Sequence, residues 1–581
     1  MNSLYSLTTL AALVALVDPS AIAQDKTGAT FFVPTQVHTI QLALTQEQWD
    51  SMTPSRGQPG APGSMGMEFP EIKSSVTVDG KDYVVGLRFK GNSSYMSSSR
   101  GLKRPFKIDF NQYVKAQSHQ GVTKLNLNNN FSDRTQIRET LAYEIFRRMG
   151  LPSPRTSLAK VSLTLAGEEK SLGLYTLAQQ VDSNFLKEYF GTGDGMLLKP
   201  EGARGGITYL GDDWARYEKG YDPKGKPTTQ EKARLIAFAK LVHQSDEATF
   251  QKEIGNFLDT EGFAKFLAAT AVTSNGDNMF AMGHNFYLWL NPKTNKFVYL
   301  PWDLNMAFGG FPIGDPIHLS VKKPYNGESR LTDRFLAIPE FRAAYNKSCR
   351  EGAKIMTELD ALHDSLASAA KPIMALDPKD GGGGFPDGPG GRRGGGPGGQ
   401  GGGFGGTNDL KVFFAQRSAS VIAQLEGKEE GVVPQGGGPG GGGPGGPGGP
   451  GGGFDMAAML GTSFLQLTGA GEAPTLTAFN DAWKKGAVFC DKNKDGKLTQ
   501  EELTAGVGAV LGGGFGPGQF LGPQIWSALK AKESISVATF TATMAQWGAS
   551  WDTNKDGKLN VPEVGAGLAK ILPPPDFGGG F

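Results

Sequence analysis

Ser274 to Gly310 reads SNGDNMFAMGHNFYLWLNPKTNKFVYLPWDLNMAFGG, and the fold class turns on it. Residues 285–290 and 296–300 are rich in aromatic and branched side chains, and a polar turn separates them, so the stretch predicts a strand hairpin. The patterning around it, from Thr229 to about Met374, is helical. Asp277 precedes the first strand, Asn285 opens it and Asp303 leaves the second, so hairpin geometry can aim two acids and an amide into one cleft. Such oxygens suit Mg²⁺, which takes one or two carboxylates and completes its shell on substrate phosphates. Isolated Asp residues more often only cap turns, but the PWD context and the intervening Asn favour chemistry here.

Working upstream, residues 37–44, 74–80, 82–91, 105–110 and 122–129 read as short strands, and a helix follows, ended by Gly150 with Pro152 beyond it. Asp133 and Gln136 have capping-box spacing ahead of that helix. Residues 157–167 and 171–181 return to strand as a hairpin with Gly167, Glu168 and Glu169 in the turn. The class is therefore α+β. An Asp, then an Asn, then an Asp after a short hairpin is the order protein kinases use: the first Asp orients or deprotonates the acceptor hydroxyl, and the other two hold the metal on the nucleotide. The spacing is looser here, and neither an HRD nor a DFG string occurs.

The strings LRFKGNSSY (87–95), KRPFKIDF (103–110), LNLNNNFSDRTQIRETLAYEIFRRMGLP (125–152), GLYTLAQQVDSNFL (173–186), GMLLKP (195–200) and the hairpin segment together resemble the CotH kinase family. These are secreted or spore-coat proteins with an atypical, two-lobed protein-kinase-like fold. The resemblance implies an ATP-dependent enzyme that phosphorylates protein hydroxyls, Ser or Thr, with Asp277 catalytic and Asp303 and Asn285 holding Mg²⁺ or Mn²⁺. Phosphoryl transfer also needs a phosphate-binding cation. Lys107, Lys103 and Lys199 are the candidates, and Lys107 matches the strand lysine of the family best. Arg138 falls near the centre of an apolar helix face, and a buried Arg needs an anionic partner. That partner is an active-site carboxylate, a phosphate or a purely structural acid. Gln179 stands where the family usually carries Glu, and an amide cannot pair ionically with a lysine. This departure supports the alternative of a catalytically inactive, calcium-stabilised surface or matrix-binding protein. Residues 91–101 (GNSSYMSSSRG) read as a loop able to cover phosphates.

Composition bounds the rest. Across 581 residues, 58 Lys plus Arg face 57 Asp plus Glu, a net charge of +1 that argues against nucleic acid or an anionic membrane as partner. Residues 7–17 form an apolar run followed by Ala21-Ile22-Ala23, so residues 1–23 read as a secretory signal and the mature chain as exported, periplasmic or surface-held, with no transmembrane segment. Its acceptor is then an extracellular or surface protein that the sequence does not identify. The 84 Gly residues concentrate in 381–406, a disordered insert within a domain of 24–430, and in a linker at 431–454. Residues 410–425 read as the last helix of that domain. Cys349 and Cys490 read as free thiols.

Beyond the linker, DKNKDGKLTQEE (491–502) and DTNKDGKLNVPE (552–563) each match D-x-[DN]-x-[DN]-G-x₅-E. Asp491, Asn493, Asp495, the Lys497 carbonyl, Thr499 and Glu502 form one Ca²⁺ ligand set. Asp552, Asn554, Asp556, the Lys558 carbonyl, Asn560 and Glu563 form the other. The segment resembles the EF-hand family, which implies an all-α domain over 455–573 before a tail at 574–581. The loops start 61 residues apart, and two helical stretches between them leave room for a metal-free hand.

Overall fold

The computed structural model describes residues 28–56, 67–99, 101–203, 205–281, 283–311, 313–378, 409–434, 464–465, 473–511, 518–531 and 533–571. The expected signal, the Gly-rich insert, most of the linker and the tail lie outside them.

The chain begins with β1 (Val37–Leu44), α1 (Gln46–Ser51), a small ribbon of β2 (Ser55–Arg56) and β3 (Met67–Glu68), β4 (Ile72–Val78), β5 (Lys81–Phe89) and α2 (Asn92–Ser98). It continues through β6 (Phe106–Asp109), β7 (Lys124–Asn128), α3 (Arg138–Arg148), β8 (Thr156–Leu165) and β9 (Glu168–Gln179). Seven strands close into a barrel in the order β1-β4-β5-β6-β7-β9-β8. The pairing of β1 with β8 is parallel, so the last hairpin folds back onto the first strand and removes the exposed edges of the sheet. Alternation explains the closure: in β1, His38, Ile40, Leu42 and Leu44 point inward while the residues between them face out. Phe89, Phe106, Ile108, Leu127 and Tyr175 fill the interior. The β8–β9 turn falls on Ala166 and Gly167, both left-handed (φ 52° and 89°), one position earlier than expected. Two successive left-handed residues match the right-handed twist of a tight hairpin.

The helical part comprises α4 (Ser183–Phe190), β10 (Leu197–Leu198), α5 (Ala215–Tyr221), α6 (Thr229–Gln244), α7 (Glu247–Phe257) and α8 (Thr260–Val272). After them come β11 (Phe286–Asn291), β12 (Lys296–Pro301), α9 (Arg330–Ala337), α10 (Pro339–Thr357), α11 (Asp360–Met374) and α12 (Leu410–Leu425). The hairpin forms as expected, and β10 joins it to make a three-stranded sheet. Helix α3 belongs to this core, where Leu141 and Phe146 cluster with Phe266, Met356 and Phe413. The expected capping box does not form. Helix α3 starts at Arg138, whose N–H donates to Asp133 Oδ2 at 2.9 Å, and Gln136 turns away with φ 53°.

Helix α12 packs on α8 and α10 and sends in Arg417, fully buried, whose guanidinium donates to the carbonyls of Ala271 (2.8 Å), Val272 (3.3 Å), Ile317 (3.0 Å) and Leu319 (2.6 Å). A cation at the C-terminus of α8 satisfies its orphan carbonyls. It thereby anchors the segment that leads to Asp277. Residues 431–434 were expected to open the linker, yet Val432 exchanges backbone hydrogen bonds with His318 (2.6 Å) and Ser320 (2.8 Å), so ordered structure runs past the expected boundary. Cys349 and Cys490 are free and buried. Among the described residues no helix is long and apolar enough to cross a membrane.

The C-terminal part carries helices at Leu476–Cys490, Gln500–Leu511, Gly518–Leu529, Val537–Trp551 and Val561–Ile571 around Phe479, Trp483, Phe540, Met544 and Leu559. The first Asp-rich loop contributes β13 (Lys497–Leu498), which pairs with β14 (Ile535–Ser536), between the third and fourth of these helices. The second loop pairs instead with the start of the first helix. Lys558 bridges to Thr475, the Leu559 N–H donates to the Pro474 carbonyl (2.9 Å), and the Leu476 N–H donates to that of Gly557 (3.0 Å). Each Asp-rich loop is thus braced by a segment without that motif.

Candidate functional site

Strand β12 ends at Pro301, and Asp303 leaves it in a left-handed conformation (φ 53°), within electrostatic reach of Lys90 from the barrel. Its backbone N–H donates to Tyr143 Oη on α3 at 2.9 Å. Asn285, also left-handed (φ 62°), donates from Nδ2 to the Asp277 carbonyl at 2.9 Å, and its own carbonyl accepts from the Trp302 N–H at 3.3 Å. His284 Nε2 lies 2.7 Å from Asp277 Oδ1. The hairpin therefore brings Asp277, His284, Asn285 and Asp303 to one mouth, as the sequence pattern requires of its two acids and amide.

The barrel supplies the facing wall. Just after β5, Lys90 donates to Asn128 Oδ1 at 2.6 Å, and Asn128 Nδ2 donates to Glu139 Oε2 on α3 at 2.8 Å. Lys90, Asn128 and Glu139 thus form a relay beside Asp303. Burial, then the nearby Asp303, pushes Glu139 well above the usual carboxylate range, and its Oε1 is buried with no hydrogen-bond partner. Burial pulls Lys90 below the usual lysine range, only partly offset by Asp303 and Glu139. Asp303 is itself raised, by burial and by the charge of Asp277, against the pull of Lys90, Lys199 and His284. Two acids and Glu139 share too few cations to be charged comfortably at once.

Lys199 reaches the same mouth from beyond β10. Burial opposes its charge, but Glu201, 2.7 Å away, with Tyr287 and Asp303, holds the ammonium above the ordinary range. For His284, burial is likewise outweighed by Asp277, Glu201 and Asp303, which keep the imidazole protonated to a higher pH than usual. Lys107 differs from both. It donates to Gln180 Oε1 at 2.8 Å and has no carboxylate at ion-pair distance among the described residues, and burial with the charges of Arg88, Lys124, Lys90 and Lys224 pulls it down to about 7. It lines a cavity of about 630 Å³, together with Gln180, Asp182, Leu197, Lys224 and Thr228.

Three expected site residues lie elsewhere. Lys103 is committed to Asp377 (2.8 Å) and Gln136 (3.2 Å). Arg138 meets Asp133 (3.5 Å), the structural acid among its expected partners, and the carbonyls of Ala307 (2.7 Å) and Phe308 (3.0 Å), so it ties α3 to the loop after Asp303. Gln179 accepts from the Arg155 N–H and donates to Glu188, and the next residue, Gln180, is the one that meets Lys107. The segment expected as a phosphate-covering loop forms helix α2, because Tyr95 packs on Phe69 and Phe89 while Arg104 holds the carbonyls of Ser99 and Gly101. Lys90, Asn128, Glu139 and His284 were not singled out from sequence, although all four lie within the strings quoted for the resemblance.

The two Asp-rich loops adopt one conformation. In the first, Asp491 accepts from the N–H groups of Asp495 (3.2 Å) and Gly496 (3.0 Å), and Glu502 from those of Lys492 (3.2 Å) and Thr499 (3.1 Å). In the second, Asp552 accepts from Asp556 (3.2 Å) and Gly557 (3.0 Å), and Glu563 from Thr553 (3.1 Å) and Asn560 (3.3 Å). Gly496 and Gly557 take the left-handed turn at the sixth position (φ 75° and 74°). Among the described residues no three His, Cys, Asp or Glu side chains are gathered tightly enough to hold a metal by themselves. In loops of this kind an amide and a backbone carbonyl complete the set.

The family profile described as CotH kinase protein matches residues 87–383, which include every residue of the cleft above. The inner spore coat protein H of Bacillus subtilis (strain 168) is 24% identical over 293 residues, covering 48% of this chain and 75% of that protein. Neither the profile's span nor its description extends to the Asp-rich loops.

Proposed function

Because the chain belongs to the CotH kinase protein family, we propose that its cleft transfers the γ-phosphate of ATP to hydroxyls, Ser or Thr, of an exported or surface protein. The observation that carries this reading is the convergence of Asp277, Asn285 and Asp303 opposite the Lys90–Asn128–Glu139 relay. The residues fit a magnesium or manganese nucleotide. Asp303 is a crowded carboxylate that a divalent cation would relieve, and Lys107 is a cation with only an amide partner, which a phosphate would complete. Asp303 and Asn285 would hold that cation, which neutralises charge on phosphate oxygens.

The remaining chemistry falls to the chain. His284 occupies Asp277 Oδ1, which leaves Oδ2 to take the acceptor's proton as its oxygen attacks the γ-phosphorus and the bond to ADP breaks. Lys107 and Lys199 would meet the phosphates, and the charge of Lys90 eases the repulsion between Asp303 and Glu139. The inactive alternative leaned on Gln179, whose amide is spent on Arg155 and Glu188, so that position says little about catalysis. The test is transfer of labelled γ-phosphate, with Mg²⁺ or Mn²⁺, to the protein itself and to an acidic protein acceptor. A folded protein that neither transfers phosphate nor binds nucleotide rules the reading out.

The two Asp-rich loops we read as Ca²⁺ sites of an EF-hand module, structural in an environment where Ca²⁺ is constantly present. Since each loop pairs with a segment lacking the motif and not with the other, the sites fill independently. Calorimetric titration of the full chain should give two ions with no cooperativity, and Glu502→Gln should abolish one while leaving the other's Kd within about two-fold. Chelation should cost the C-terminal part about 2.7 kcal/mol per site, about 5.4 kcal/mol for the two, relative to Ca²⁺ at a hundred times Kd, read as a lower melting transition that Ca²⁺ restores.

A further inference from the structure

Asp377 lies just past α11, in the helical part, yet its carboxylate is spent on the barrel side of the cleft. Oδ2 accepts from Lys103 Nζ at 2.8 Å and from Gln136 Nε2 at 2.6 Å, and Oδ1 accepts from the Leu174 N–H of β9 at 2.9 Å. Lys103 is 2% exposed and also donates to Gln136 Oε1 at 3.2 Å, so ammonium, amide and carboxylate form a closed triangle. The backbone has been shaped for this approach. Gly173 is left-handed (φ 76°), and a Cβ there would stand 1.8 Å from Asp377 Oδ1 and 2.8 Å from its Cα. Only glycine admits Asp377 this close to β9.

Gln136 lies two residues before the start of α3, and Glu139 is the second residue of that helix. Helix α3 has no side-chain N-cap of its own, so its first turn is held from outside, by Asp133 and through Gln136 by Asp377. A displacement at this end moves Glu139 directly, and with it Asn128 and Lys90.

We propose that Asp377 is a positioning residue: it fastens the start of α3 to the helical part and so holds Glu139 against the Lys90–Asp303 cluster. The inference rests on the kinase reading of the cleft. Lys103, expected from sequence to meet phosphate, is in this account the buried counter-ion of the fastening.

Asp377→Asn tests it. The amide fits beside Gly173 and can still accept from Leu174, but its NH₂ meets the donors of Lys103 and Gln136, so the link to α3 is the part lost. Gln136→Asn is a milder second variant, since Asn tolerates the left-handed backbone and is too short to keep the link. Both should lower kcat about ten-fold, leave KM for nucleotide within two-fold, and speed amide hydrogen exchange over residues 137–141 at least ten-fold, with β4 unchanged. Unchanged exchange in that turn, or an unchanged kcat beside a lowered melting temperature, overturns the proposal and leaves Asp377 a brace of the fold alone. If the unmodified protein transfers no phosphate, the kinase reading falls, and the exchange result alone decides whether Asp377 sets α3.

Discussion

Asp303→Asn should abolish phosphate transfer, by about 10³-fold or more, in a protein that melts no lower than the parent. Both halves follow from the crowding at the cleft. The Asp303 carboxyl is raised by burial and by Asp277, with Lys90, Lys199 and His284 only partly compensating. A carboxyl whose folded pKa exceeds its unfolded value contributes fully below the unfolded pKa, and that contribution is lost as pH rises through the folded value. Above the unfolded pKa the ionised form of Asp303 is therefore a burden on the fold, and the isosteric amide removes it. Lys90 keeps Glu139 as partner and Lys199 keeps Glu201, so neither cation is stranded. Labelled transfer and thermal melting at pH 7 decide the matter. A variant that still phosphorylates would show that Asp303 holds no essential metal, and one that melts much lower would show that its charge stabilises the fold.

The separation of stability from chemistry also explains what could be read from sequence. The hairpin and its three polar residues were legible because strands alternate and turns break, and a hairpin's ends are near one another whatever the rest of the chain does. The barrel strands were legible one by one, but not their closure, which depends on the parallel pairing of β1 with β8 across more than a hundred residues. The cations could not be told apart for a related reason. Lys103, Lys107 and Arg138 look alike as basic residues in apolar surroundings, and only the fold assigns Lys103 to Asp377, Arg138 to two carbonyls and Lys107 to a cavity. Lys90 and Glu139 escaped notice although a signal existed. Every residue from Arg138 to Tyr143 is buried, so an acid beside the arginine, on a helix with so little exposed face, needed a partner as much as the arginine did. The turns of the Asp-rich loops were legible because their backbone pattern is local, whereas their pairing with non-matching segments was not.

Lys90→Met should cost stability increasingly as pH rises from 6 to 8, whereas Lys107→Met should stabilise most at the low end of that range, which distinguishes the relay from the phosphate contact before any activity is measured. Removing Lys90 leaves Glu139 and Asp303 facing each other without their shared cation. At pH 6 the fold loses little, because burial already disfavours the Lys90 charge and Glu139 can take up a proton instead of staying charged. The sign with pH follows: the carboxyl pKa values rise further in the folded state, so the loss grows between pH 6 and pH 8. Lys107 has no carboxylate at ion-pair distance among the described residues, and its pull on Glu71 and Asp182 ranks below burial in both. Its pKa is down at about 7 from an ordinary 10.5, so over that interval the unfolded chain holds a proton that the folded chain does not. Stability therefore rises with pH there, and replacing Lys107 by Met is most stabilising at and below pH 7, by about 1 kcal/mol or more, or about 2 °C. Function separates the two again. Lys90→Met should lower kcat by 10²-fold or more through the misplacement of Asp303, while Lys107→Met should weaken nucleotide binding about ten-fold, the worth of one charged hydrogen bond. If Lys107→Met destabilises at pH 6 and leaves nucleotide affinity intact, its ammonium has an acidic partner in solution and the cavity beside it does not receive the phosphates.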